Sequence, residues 1–196
     1  MVMAFAAPLY VLVATLRRES GVPFWDEWEW ADLAYQVRTG GEYLGLLWAP
    51  HNGHHNVVPD MIFLLIDRWS GWSPRAEELV GIAALIAAQT ALWFVVKRSL
   101  RRFRFVAFAI LSALLYNPAQ YESFSMGFNV GWEICTAAIV VMVERLTSRD
   151  LSPLVVGQAA LAALIGSLTS GQGLLLWPIG LAIVILRRPL APTIRC

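Results

Sequence analysis

The sequence predicts an all-α integral membrane protein, with about six transmembrane helices and surface-lying helices in a large first external loop. Three observations carry this. First, only 15% of the 196 residues are charged and 58% are hydrophobic, whereas a soluble domain carries about a quarter charged residues. The mean hydropathy is +0.58. Second, several runs are free of charge, and the longest covers 36 residues, 151–186. Third, the net charge of +1 conceals a segregation: residues 17–78 hold ten of the 14 carboxylates and five arginines. The remainder holds four carboxylates and ten basic residues. Basic loops stay in the cytoplasm, so the acidic loop is external.

In chain order, residues 1–16 form the first span, short for a bilayer that takes about 20 residues to cross. Neither a basic leader nor a cleavage site marks it as a signal peptide. Residues 17–78 form the external loop. Within it Asp26-x-x-Glu29 has the spacing of a capping box. Trp30, Leu33, Ala34 and Val37 then follow at the spacing of one helical face, with Glu29, Asp32 and Gln36 opposite. This predicts a helix over 27–39, lying along the interface and ended by Gly40-Gly41. A turn follows, and Pro59 opens a second short helix to Trp69, too short to cross a bilayer. Ser73-Pro74 supplies the cap and first residue of the next helix.

The second span is 79–96. Lys97, Arg98, Arg101, Arg102 and Arg104 follow with no negative charge between them, which makes this turn cytoplasmic. The third span, 105–116, leads out to a second external loop, 117–129. The fourth, 130–143, returns to a mixed cytoplasmic turn at Glu144–Asp150. One helix over 151–186 would be about 54 Å long, so the run divides into spans 151–169 and 174–186 around Ser170-Gly171-Gln172-Gly173. Both termini are then cytoplasmic. No internal repeat or second domain is visible, and no basic surface suited to nucleic acid. Cys135 and Cys196 fall at opposite membrane faces, which argues against a disulfide.

The candidate chemistry lies in the external segments. Residues 24–30 place Asp26, Glu27 and Glu29 among three tryptophans, a costly arrangement beside a bilayer unless the carboxylates are used. Asp26 and Glu27 read either as helix cap and first-turn charge, or as a base or metal ligand. His51, His54 and His55 are the only histidines. With Asn52 they form a polar turn that suits a phosphate near a helix N-terminus. The cysteine or paired-histidine spacing of a zinc site is missing. The second loop offers Gln120, Glu122 and Asn129 beside aromatic residues, and the last turn offers Gln172. P-loop, dinucleotide and serine-hydrolase motifs are absent.

Five of these segments, in order, resemble those of bacterial GT-C type membrane glycosyltransferase-like proteins. They are Trp25-Asp26-Glu27-Trp28, His51-Asn52-Gly53-His54-His55, Pro118-Ala119-Gln120-Tyr121-Glu122-Ser123, Met126-Gly127-Phe128-Asn129, and Thr169-Ser170-Gly171-Gln172-Gly173-Leu174 with Trp177-Pro178. The chain departs from the pattern at His55, where an arginine is expected, and at Tyr121 and Ser123, where Trp and Asn are. The resemblance implies a multi-pass protein of the bacterial cytoplasmic (inner) membrane. It implies transfer of a sugar from a polyprenyl-phosphate donor to an acceptor on the outer side. By the same analogy Asp26, with Glu27, is catalytic, as base or as ligand of a divalent cation. His51, Asn52, His54, His55, Gln120, Glu122, Asn129 and Gln172 bind substrate, and the lipid bilayer and a lipid-linked sugar are the partners. Such enzymes have several more spans, so the chain corresponds to an N-terminal half. The competing readings are a non-catalytic membrane scaffold or remnant, and a transporter subunit. The scarcity of polar residues in the spans, only Gln89, Glu133 and Gln158, counts against transport.

Overall fold

A computed structural model describes residues 2–17 and 25–187, and the side chains of all of these except 2–4, 121 and 122. Arg18, Cys196 and the side chain of Glu122 therefore lie outside the described residues. The fold is mostly helical, with ten α-helices and one two-residue ladder among the described residues. The helices are α1 (Val2–Arg17), α2 (Glu27–Arg38), α3 (Tyr43–Leu47), α4 (Val57–Ser70), α5 (Pro74–Ser99), α6 (Arg104–Leu115), α7 (Tyr121–Ser125), α8 (Val130–Leu146), α9 (Pro153–Ser167) and α10 (Leu176–Arg187).

Helix α8 is central, packed between α5 and α9, while α1 and α6 flank α5 and α10 closes the far side. Small residues let these helices approach closely. Ala138, Met142 and Leu146 of α8 meet Ala159, Ala162 and Ala163 of α9 and Leu176 of α10 in one buried cluster. A second cluster joins Val11 of α1 to Ile82 and Leu85 of α5, with Tyr116 and Phe124. Two helical stretches, Pro74–Ser99 and Gly127–Leu146, are long and apolar enough to cross a membrane. The other four expected spans are helices too, but of only 12 to 16 residues.

The loop helices are close to expectation. Helix α2 buries Trp30 and Ala34, the face that the spacing marks, against Phe63 of α4 and Val130 of α8. It ends where Gly40 adopts φ +92, a conformation that costs glycine little. The Arg38 guanidinium reaches both Asp67 oxygens, at 2.6 and 2.7 Å, tying α2 to α4. Ser73 caps α5 as expected, its Oγ accepting from the Ala76 N–H at 3.3 Å.

Five details differ from the sequence reading. Asp26 does not form the capping box: its backbone is already helical and its side chain makes no cap bond. Helix α4 starts two residues before Pro59, which occupies the third helical position. Proline is tolerated there because first-turn N–H groups have no partner within the helix. Residues 118–129 are short helical turns rather than an open loop. Helix α8 runs on to Leu146, because Glu144 is buried there and receives Arg98 at 2.7 Å. Residues 50–55 form a hairpin pairing Pro50 with His55 and His51 with His54. Its turn, Asn52-Gly53, has positive φ at both residues (47° and 82°), the turn that matches the twist of two short strands.

Candidate functional site

The polar residues gather where α5 and α8 begin and α9 ends. The hairpin delivers the histidines to this end, the 3₁₀ turn Gly127–Asn129 delivers Phe128 and Asn129, and Thr169-Ser170 arrives from the α9 terminus. The Val58 N–H donates to the Leu168 carbonyl at 3.0 Å, fastening the start of α4 to the end of α9.

Two cavities lie here side by side. The first, about 320 Å³, is lined by Trp25, Asp26, His51, Asn52, His54 and Asn129, with Ser123, Thr169 and Ser170 among the rest. All five segments of the resemblance thus contribute to one chamber, although Asp26 and Ser170 are far apart in sequence. Asp26 is half-buried in its wall. Trp25 just before it has φ +51, a strained conformation for a bulky residue and one found mostly where function demands it.

The second cavity, about 440 Å³, is lined by Trp28, Glu29, Asp32, Gln36, Pro50 and Asp60, among others. Both chambers share His51, Asn56 and Phe128. The wall between them is a cluster of tilted rings: Phe128 lies 5.1 Å from the His51 ring and 4.9 Å from Trp30. His51 Nδ1 bonds the Glu29 carboxylate, and its Nε2 meets the Asn52 amide at 2.8 Å. Both ring nitrogens are thus engaged, which fixes the plane of the imidazole. The Trp30 indole N–H donates to Asp60 at 2.9 Å. Burial pushes the Asp60 carboxyl up to about 6, with Glu29 adding to the rise, while the Trp30 bond and His51 oppose it.

The structure separates some of the residues that the sequence groups together. Asp26, His51, Asn52, His54 and Asn129 share the first chamber. Glu27, its neighbour's presumed partner by sequence, points the other way. It is buried, and its carboxylate accepts from the Gly127 N–H at 2.7 Å. A helical step of about 100° turns adjacent side chains apart. His55 stacks on Trp48 at 5.0 Å and does not line the chamber. Gln120 is exposed and reaches only the Leu114 carbonyl, at 3.5 Å. Gln172 is exposed on its turn, outside the lining. Of the chamber's other polar residues, Ser123, Thr169 and Ser170 lie in the quoted segments without having been singled out for chemistry, and Asn56 carries no motif signal of its own. Glu29, Asp32 and Gln36 were legible as a polar helical face, but that face borders a cavity. Asp60 had only its place after Pro59 to mark it.

Among the described residues no group of three or more His, Cys, Asp or Glu side chains is arranged to hold a metal ion. Glu27, Glu77, Glu78 and Glu133 are all buried near one another beside the chambers. No protein-family model, curated protein or solved structure matches the chain.

Proposed function

We propose that the chain is the core of a GT-C type glycosyltransferase of the bacterial cytoplasmic membrane. It transfers a sugar from a polyprenyl-phosphate donor to an acceptor hydroxyl at the external face. One observation carries this reading: the five separated segments that resemble the family converge on the Asp26 chamber. A membrane setting is supported by the two helices of spanning length and by the apolar side chains left exposed around the bundle, among them Leu9, Phe94, Val106, Leu161 and Leu181. A water-soluble surface rarely carries so broad an apolar belt. The shorter helices cross by drawing in flanking arginines, whose stems lie along the apolar region. The basic turn around 97–104 occupies the cytoplasmic side.

In this reading the donor's anomeric carbon enters the first chamber. The acceptor oxygen attacks it, the bond from that carbon to the phosphate oxygen breaks, and polyprenyl phosphate leaves. Asp26 takes the acceptor's proton, the one carboxylate among the described lining residues. His51, Asn52, His54 and Asn129 supply polar contacts to hydroxyl and phosphate oxygens. Among the described residues the lining offers a divalent cation one carboxylate, Asp26, and no cluster of acidic, histidine or cysteine ligands, so no step is assigned to such an ion.

The test is Asp26→Asn, assayed for transfer from radiolabelled polyprenyl-phosphate sugars in membranes. Asparagine keeps the shape and removes the base. Transfer should fall by about 100-fold or more, with insertion unchanged, since the Asp26 side chain caps nothing. Wild-type transfer by the Asn variant would overturn the assignment.

A further inference from the structure

We propose that the second chamber is a subsite for a neutral, polyhydroxylated ring: the sugar of the acceptor, held apart from the phosphate-bearing donor. Its part in transfer rests on the reading above; its binding does not.

The two chambers differ in charge. Among the described side chains, the first has a single carboxylate in its lining, Asp26. The second is lined by three, Glu29, Asp32 and Asp60, and by no lysine or arginine. A phosphate entering it would meet three carboxylates, with His51, already engaged by Glu29, as the basic group among the described lining residues, at a cost that a low-dielectric wall increases. Hydroxyl groups meet the opposite situation. Carboxylate oxygens accept from O–H groups and form charge-assisted bonds stronger than neutral ones. Asp60 is aimed by the Trp30 indole, bonded at 2.9 Å, and Glu29 by His51. The acceptors are thus fixed before any ligand arrives, which lowers the entropy lost on binding.

The apolar part of the lining completes the match. Trp28 presents an exposed indole at the chamber, with Pro50 and Phe128 on other walls. A sugar ring has a face of C–H groups and an edge of hydroxyls, and flat aromatic surface with polar groups at its rim suits both. The volume, 440 Å³, falls in the range of about 300–1,000 Å³ found for small-molecule sites. A compact organic amine would also find the carboxylates and, through its charge, the indole face, so it is the competing occupant that the experiment tests.

Position gives the subsite its role. The dividing wall is one ring thick, His51 and Phe128, and both residues line both chambers. A hydroxyl projecting past this wall from a ring in the second chamber faces the first, where Asp26 lies.

The experiment uses the full chain in phospholipid nanodiscs, free of sugar-headed detergents. Saturation-transfer NMR is recorded with glucose, galactose, mannose and arabinose, separately with putrescine, and again for the sugars in the presence of competing inorganic phosphate. At least one monosaccharide should receive saturation, strongest on its ring C–H protons. Trp28→Ala should weaken this by about fivefold or more. Asp60→Asn, which keeps the shape and can still accept from Trp30, should weaken it as well. Gly157→Ala, at a residue that lines neither chamber, should leave it intact, and because binding is read without transfer, its failure is distinct from failure of the transfer assay. Inorganic phosphate should not displace the sugar, since the second chamber offers it three carboxylates. The proposal is overturned if no monosaccharide binds, if putrescine binds and the sugars do not, or if binding is indifferent to both Trp28→Ala and Asp60→Asn.

Discussion

Adjacent carboxylates in one acidic stretch have different fates. Asp26 faces a chamber, whereas Glu27 is buried and holds the Gly127 N–H. Glu27 also lies near enough to Glu77 for their charges to repel. Glu27→Gln keeps an oxygen acceptor for Gly127 and removes the repulsion. It should therefore leave transfer intact and hold or raise the melting temperature. Glu27→Ala orphans the buried N–H and should cost about 1–3 kcal/mol. Thermal unfolding of both variants beside the transfer assay checks this. Asp60 makes a pH prediction. Its carboxyl titrates at 3.8 when unperturbed and at about 6 in the fold. Between these values the folded state binds the more protons, so stability falls as pH rises from about 4 to about 6 and is level above. The contribution present at low pH and lost by pH 7 is at most about 3 kcal/mol, two units at about 1.4 kcal/mol each. Asp60→Asn should remove this slope and be the more stable protein at pH 7–8. Melting temperatures of the two proteins across pH 4–8 isolate the effect, since every other group is common to both.

Among the elements, glycines show where backbones are in contact. A Cβ on Gly173, in the 3₁₀ turn before α10, would run into the Gly166 carbonyl of α9. Neither backbone can yield without opening the α9–α10 hairpin. Gly173→Ala should thus destabilise by about 1–3 kcal/mol. Gly157, exposed within α9, meets nothing within 4 Å. Gly157→Ala should be neutral or stabilising by up to about 1 kcal/mol, because alanine is the better helix former. Chemical unfolding of the two variants side by side tests the pair; equal effects would contradict the packing of α10 on α9. The same hairpin matters to the site, as Thr169 and Ser170 enter the first chamber from it.

Across the whole molecule, charge and polarity run from end to end. The chambers and the buried Glu27, Glu77, Glu78 and Glu133 occupy one end. At the other, Arg98 pairs with Glu144 at 2.7 Å and Arg187 donates to the Leu146 carbonyl at 2.5 Å. If the bundle spans a membrane with the basic end in the cytoplasm, cysteines placed at each end label from opposite sides. In a Cys196→Ser background, Glu42→Cys should react with an impermeant maleimide added outside intact cells, and Ser99→Cys only after permeabilisation. Both positions are exposed. The reverse pattern would put the chambers in the cytoplasm and remove the external acceptor from the proposed function.

Helix type, order and approximate ends were readable from the residues alone, because they depend on local causes. Apolar periodicity placed α2, Ser73-Pro74 placed the start of α5, and Gly40 and Gly71 ended α2 and α4. Charge-free runs and the basic turn divided the bundle into its helices. The acidic stretch and the histidine turn were likewise visible as polar groups in an apolar chain. Which of them meet is a different matter, decided by long-range packing. Only the folded chain turns Glu27 away from Asp26 and brings Thr169 and Ser170 beside His54. Only the fold converts the polar face of α2 from a solvated surface into a cavity wall, by laying α4 and the hairpin across it. The extension of α8 to Leu146 belongs here too, since Glu144 remains helical through a guanidinium 46 residues away in sequence. Local spacing carries no record of such partners. A residue's neighbours along the chain set its backbone, and its neighbours in space set its chemistry.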